Sequence, residues 1–99
     1  MRMNNRSERI RARLEEALAP EELSVEDESH LHAGHAGARS GRGHFRVRIV
    51  SQSFAGLNPL QRHRLVYEAL GEIMHEEIHA LGIEAYAPAE TAQHTGRAL

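Results

Sequence analysis

The sequence predicts a two-layer α+β domain with the element order αββαβ and a three-stranded mixed sheet. Two segments have the apolar spacing of amphipathic helices. Three shorter segments alternate apolar and polar residues, as half-buried strands do. A helix between the second and third strands makes these two strands parallel, with a right-handed crossover.

The first helix is indicated by one apolar stripe, formed by Ile10, Leu14, Ala17 and Leu18, and Pro20 ends it. The first strand is predicted over residues 22–29. Residues 33–43 contain four glycines and no periodicity, which predicts a flexible loop.

The second strand is predicted over residues 44–51. Three apolar side chains point to one face, and three basic or imidazole side chains point to a solvated face. The first set is Phe45, Val47 and Ile49, and the second is His44, Arg46 and Arg48.

The second helix begins with Asn58 as N-cap, Pro59 at the first position and Gln61 closing a capping box. Its predicted buried stripe contains Val66, Tyr67, Leu70, Ile73 and Met74, with Gly71 as a local weakness. The third strand is predicted over residues 79–85. Both helices should cover the sheet face that bears Phe45, Val47, Ile49, Leu81 and Ile83.

The chain has 99 residues, which predicts a single domain over 1–99, with a core at about 6–90 and a frayed tail at 91–99. The absence of cysteine excludes disulfides, a thiolate nucleophile and sulfur ligands from this chain. The sequence contains no nucleophile–base motif and no phosphate loop, so nothing in it indicates an enzyme. No segment is apolar enough to span a membrane, and we expect a cytoplasmic protein. The frequent use of Arg and Ala indicates a bacterial source.

Histidine is unusually frequent, with eight residues, of which His30, His32, His35 and His44 lie within fifteen positions. Parallel second and third strands begin at the same edge of the sheet, so His79 should stand beside the glycine-rich loop. Imidazoles at such an edge can bind zinc, copper or iron, but without cysteine they leave a site that a partner must complete. The alternative, surface histidines with His79 hydrogen-bonded at a strand end, is favoured on spacing alone.

Three further features are interpreted without a functional role. His63 is expected to be packed or hydrogen-bonded, and His75 and His94 fall on a helix end and the tail. The G-x-x-G pattern at residues 34–37 joins two strands, where an RNA-clamping loop would join two helices. A weaker alternative is that the isolated chain binds zinc or copper through His30, His32 and His35.

The chain resembles the BolA family in several blocks along about Arg6 to Glu90. The blocks are Val25–Ser29, the loop with His32, His44–Val47 leading into Ile49–Ser51, Phe54–Gly56, Arg62–Tyr67 and His79–Leu81. The Arg-His-Arg-Leu-Val-Tyr block with a downstream His-Ala-Leu is the most specific. The resemblance implies a fold similar to the class II KH domain.

It further implies an adaptor, monomeric alone, that forms a heterodimer with a monothiol glutaredoxin. In such pairs a [2Fe-2S] cluster, not tightly bound by the BolA-like chain alone, is shared with the glutaredoxin cysteine and glutathione. The family's C-terminal ligand matches His79. Its loop ligand matches His32 best, with His35 as the alternative, and iron–sulfur trafficking or iron and redox regulation is the implied process.

The resemblance also implies an alternative function, a DNA-binding transcriptional regulator. Its phosphate contacts would be Arg62 and Arg64 on the second helix, with Arg46 and Arg48 on the sheet. The formal net charge of −2 argues against a broadly basic nucleic-acid binder, and a solvated helix face is the favoured interpretation of these arginines.

Overall fold

A computed structural model describes residues 6–29 and 43–91, and their elements follow the predicted order. These are α1 (Arg6–Leu18), β1 (Glu22–Asp27), β2 (Gly43–Val50), a 3-10 turn (Gln52–Phe54), α2 (Pro59–Leu70), α3 (Glu72–Glu76) and β3 (Ile78–Tyr86). The loop histidines 30, 32 and 35, His94 and almost all of the tail predicted to be frayed lie outside the described residues.

The three strands form one mixed sheet in the order β1-β2-β3. β1 pairs antiparallel with β2, and β2 pairs parallel with β3, as predicted from the crossover helix. The predicted α+β fold class is therefore confirmed. None of the helices in the described ranges is both long and apolar enough to cross a membrane.

The core lies between the helices and one face of the sheet. Phe45, Val47 and Ile49 are buried on that face, while Leu81 and Ile83 are half-buried and pack against the same cluster. From the helical layer the buried residues include Ile10, Leu14, Leu18, Val66 and Leu70. Burial of these side chains is the main driving force that joins the two layers.

The N-terminus of α2 has the predicted caps. The Asn58 side chain accepts a hydrogen bond from the Gln61 backbone at 2.8 Å, and the Gln61 side chain accepts one from the Asn58 backbone at 2.9 Å. Pro59 occupies the first turn, where its missing N–H costs no helical hydrogen bond.

The predicted second helix is in fact two helices, which is a correction to the single buried stripe. Gly71 has φ +57 and ψ −130 and separates α2 from α3. Ile73 is buried in α3, but Tyr67 is 42% exposed and Met74 only partly buried. Ala17 of the first predicted stripe is also exposed. Each outlier lies at the margin of a stripe, where neighbouring elements decide burial.

Strand ends differ from the predictions by one or two residues. β1 ends at Asp27, two residues early, because the Asp27 side chain accepts a hydrogen bond from the Ser29 backbone at 2.9 Å and turns the chain. β2 begins and ends one residue early, whereas β3 is one residue longer at each end.

Candidate metal centre

Two histidines meet where β2 and β3 begin. His44 is the second residue of β2, and His79 is the second residue of β3. Since the strands are parallel, their first residues share one edge, and the two imidazole rings lie 5.1 Å apart between centroids with 53° between their planes. Folding thus brings together two imidazole rings that are 35 positions apart in the sequence.

A β-bulge at His79 sets this contact. Gly43 pairs with Ile78, but His44 pairs with Ala80, so His79 is an extra residue without its own partner across the ladder. Ile78 is buried, whereas His79 and Ala80 are both exposed. A bulge re-aims side chains in this way, and here it keeps Ile78 in the core while His79 faces solvent.

Both ends of the segment that contains the loop histidines are fixed beside this pair. Glu28 donates its backbone N–H to the His44 carbonyl at 2.8 Å, and the His44 N–H donates to Ser29 Oγ at 3.1 Å. Gly43 donates to the Glu77 carbonyl at 3.0 Å. Residues 30–42 therefore leave and re-enter the described structure next to His44 and His79.

His44 is the member of the pair that the sequence interpretation did not include among the candidate ligands. From the sequence, His44 is one of the four clustered histidines and lies on the solvated face of the second strand, which the strand order places beside the strand that His79 opens. His44 is half-buried with its Nε2 atom buried, whereas His79 is exposed. His79 is accordingly the imidazole of the pair that a partner molecule can approach.

No three His, Cys, Asp or Glu side chains within residues 6–29 and 43–91 are arranged to hold a metal ion. The described part of the site therefore contains two imidazoles, of which only that of His79 is exposed to a partner, so it is far from the four ligands of a tetrahedral metal. Imidazole is nevertheless an accepted ligand of iron in mixed His and Cys clusters. The donor set is compatible with such a cluster if further donors, including sulfur, come from elsewhere.

The two sheet arginines face solvent but are paired with carboxylates. Arg46 lies 3.3 Å from Glu28 and 3.8 Å from Glu84. Arg48 lies 2.9 Å from Glu22, and its guanidinium carbon is 5.4 Å from the centre of the Tyr86 ring. Three carboxylates surround these two arginines, so a phosphate there would have to compete with carboxylates that are already bound.

Arg62 has a structural environment. Its side chain is only 13% exposed and forms two hydrogen bonds of 2.8 Å to the Glu90 carboxylate. It also donates to the carbonyls of Leu57 and Ala85. Its N–H groups are thus used within the chain, which argues against the predicted DNA contact of Arg62.

The Arg62–Glu90 pair also perturbs both ionisation equilibria. The hydrogen bond from Arg62, reinforced by the backbone N–H of Ala87, lowers the pKa of Glu90 to about 2. The same hydrogen bond to Glu90 raises the pKa of Arg62. Arg64, one residue beyond His63, is exposed and forms no ion pair with the described residues.

Comparisons with known proteins agree with this architecture. The family model described as BolA-like protein matches residues 14–90. BolA-like protein 1 of Mus musculus is 53% identical over 81 residues, which are 82% of this chain and 57% of that protein. The chain thus spans little more than half the length of this relative.

A bacterial relative and a solved structure extend the comparison. The DNA-binding transcriptional regulator BolA of Vibrio cholerae is 42% identical over 84 residues, covering 85% of this chain and 76% of that protein. The BolA domain of SufE1 from Arabidopsis thaliana has a TM-score of 0.77 at 46% identity, covering 90% of this chain and 99% of that chain. The chain therefore belongs to the BolA-like protein family.

Proposed function

We propose that this chain is an adaptor that pairs with a monothiol glutaredoxin and helps to ligate a shared [2Fe-2S] cluster. His79 is the first ligand, and His32 or His35 is the second. The observation that carries the proposal is the placement of exposed His79 beside His44 and beside both ends of residues 30–42, the histidine-rich segment.

The chain's own chemistry supports a shared site. It contains no cysteine, so the sulfur ligands that iron–sulfur clusters require must come from the glutaredoxin thiol and glutathione. Replacing cysteine by histidine on one iron raises the reduction potential of a [2Fe-2S] centre. His32 follows Ser29 by only three residues in the sequence, and three residues of chain span at most about 10 Å.

The test is visible circular dichroism of glutathione-loaded, cluster-bearing glutaredoxin mixed with this chain. The wild type should change the cluster spectrum, and His79→Ala should abolish the change because a ligand is lost. His75→Ala is the matched control, since it removes an exposed imidazole from α3 and should leave the change intact. A His79→Ala spectrum identical to that of the wild type contradicts the proposal.

The two loop candidates are separated by the same measurement. His32→Ala and His35→Ala are compared singly, and the substitution that abolishes the spectral change identifies the second ligand. Titration of the isolated chain with zinc distinguishes the weaker alternative, in which His30, His32 and His35 bind a metal with no partner. Stoichiometric zinc binding by the isolated chain would favour that alternative.

DNA binding is the second candidate function, favoured by the name of the Vibrio cholerae relative and by exposed Arg64. Arg64→Ala should then weaken binding to duplex DNA and reduce its salt dependence by about one counterion, the value expected for one lost phosphate contact. Arg48→Ala, which removes an arginine already paired with Glu22, is the comparison. No binding at low salt excludes this function.

A further inference from the structure

The outer edge of β3 begins beside the candidate metal centre. β3 is an edge strand of the sheet. On its inner side the Tyr86 carbonyl accepts a hydrogen bond from the Ser51 N–H at 2.9 Å. On its outer side the Ala85 carbonyl accepts one from Arg62 at 3.0 Å. These two bonds identify which residues of β3 face outward.

Backbone groups of successive strand residues point to opposite sides. Leu81 and Ile83 are in phase with Ala85, so they direct their N–H and C=O groups outward, whereas Ala80 and Gly82 direct theirs to β2. Within the described ranges, no hydrogen bond from another element reaches Leu81 or Ile83. Residues 80–85 contain neither lysine nor proline, which commonly protect strand edges, and Glu84 is the one charged residue among them.

A small cavity lies beside this edge. Its volume is about 230 Å³, and it is lined by β3 residues, including Ile83 and Ala85, and by the first turns of α2, including Pro59 and His63. Ile83 is half-buried at its wall. The edge therefore combines outward main-chain groups with one recess for a side chain, the two features by which proteins bind an added strand.

We propose that the outer edge of β3 is the docking strand for the thiol-bearing partner. An extended segment of the partner adds to Leu81 and Ile83 as a fourth strand, and one of its apolar side chains fills the cavity. The inference rests on the proposed function, because a partner that supplies sulfur at His79 must lie against the first residues of β3. A second copy of this chain has no cysteine and cannot supply that sulfur.

Amide hydrogen exchange of this chain, alone and with cluster-loaded glutaredoxin and glutathione, tests the docking. The Leu81 and Ile83 amides should slow by about tenfold or more on binding, because they gain hydrogen bonds. The Ala80 and Gly82 amides, already directed at β2, should change less. Unchanged exchange at Leu81 and Ile83 in the complex overturns the inference.

Leu81→Pro and Leu81→Ala form a matched pair of variants. Both remove the leucine side chain, but only proline removes the outward N–H, which edge strands tolerate without loss of the inner ladder. The dissociation constant for the partner should be about tenfold larger for Leu81→Pro than for Leu81→Ala, that is, the proline variant should bind more weakly. If both variants fold and bind the partner with equal affinity, the inference is contradicted. If Leu81→Pro does not fold, amide hydrogen exchange at Leu81 and Ile83 of the wild type decides.

Failure of this inference is distinguishable from failure of the proposed function. A cluster spectrum that depends on His79 without protection of Leu81 and Ile83 leaves the adaptor function intact and removes the docking strand. If the Leu81 and Ile83 amides are protected but the cluster spectrum is the same with His79→Ala, the docking strand is retained and the assignment of His79 as a ligand is removed. Protection that rises with concentration in the chain alone assigns the edge to a second copy and overturns the inference.

Discussion

Gly43 lies at the contact between the histidine-rich segment and the sheet, one residue before His44. A Cβ atom there would lie 2.7 Å from the ring of Phe45 and 2.7 Å from Ser29 Oγ. Phe45 is in the core, and Ser29 Oγ accepts the N–H of His44. The close approach at Gly43 therefore holds the base of the segment against the strand that carries His44.

Gly43→Ala should destabilise the protein by about 1–3 kcal/mol, because the added methyl group overpacks a filled position. Urea denaturation followed by far-UV circular dichroism measures the change in the free energy of unfolding. Gly82→Ala is the control, since its Cβ atom would meet Arg46 at an ordinary 3.5 Å, and its effect should stay within about 0.5 kcal/mol. Equal effects of both substitutions contradict the steric explanation.

At the scale of secondary structure, the break between α2 and α3 is the feature that apolar periodicity did not reveal. The pattern continues through Gly71 to Ile73, and both sides of the break contribute to the core. The sequence predicts only a local weakness of the helix at Gly71. Gly71 has a positive φ, and Arg13 of α1 donates to the adjacent Leu70 carbonyl at 3.1 Å, a tertiary contact that periodicity does not show.

Gly71→Ala should cost about 1–3 kcal/mol of stability, because φ +57 with ψ −130 is accessible to glycine but strained for an L-residue. Chemical denaturation provides the measurement. D-Ala introduced at position 71 by chemical synthesis is the matched control, because its mirror-image preferences fit a positive φ. Similar losses for L-Ala and D-Ala would contradict backbone strain as the cause of the effect.

At the scale of the whole molecule, Arg62 joins parts of the chain that are distant in sequence. From α2 it bonds to the turn before that helix at Leu57, to the end of β3 at Ala85 and to the following turn at Glu90. A planar guanidinium with five N–H donors can make all these bonds at once, which lysine cannot. Arg62 thus fixes the chain after β3 against the helical layer.

Glu90 makes this connection pH-dependent. Its pKa falls from an ordinary 4.5 to about 2 in the folded chain, so the folded state favours the ionised carboxylate. The resulting stabilisation is complete above about pH 4.5 and is lost as the pH falls toward 2.

Urea midpoints measured between pH 6 and 2 should therefore decline for the wild type more steeply than for Glu90→Gln, which lacks this ionisation. The variant should also be less stable at pH 6, since an uncharged amide replaces the carboxylate partner of Arg62. Parallel pH profiles of the two proteins would contradict the role assigned to Glu90.

The sequence by itself determined the order of the elements, the inward face of β2, the capping box at Asn58 and the edge of the sheet where His79 lies. These follow from periodicity, local capping and the parallel crossover, which act over short range or through topology. Only the tertiary structure decided that His79 is an extra residue in the ladder, that His44 contacts it and that Arg62 is bound to Glu90. Such contacts depend on the register between strands and on how helices pack, and both are settled by burial across the whole domain rather than by neighbouring residues.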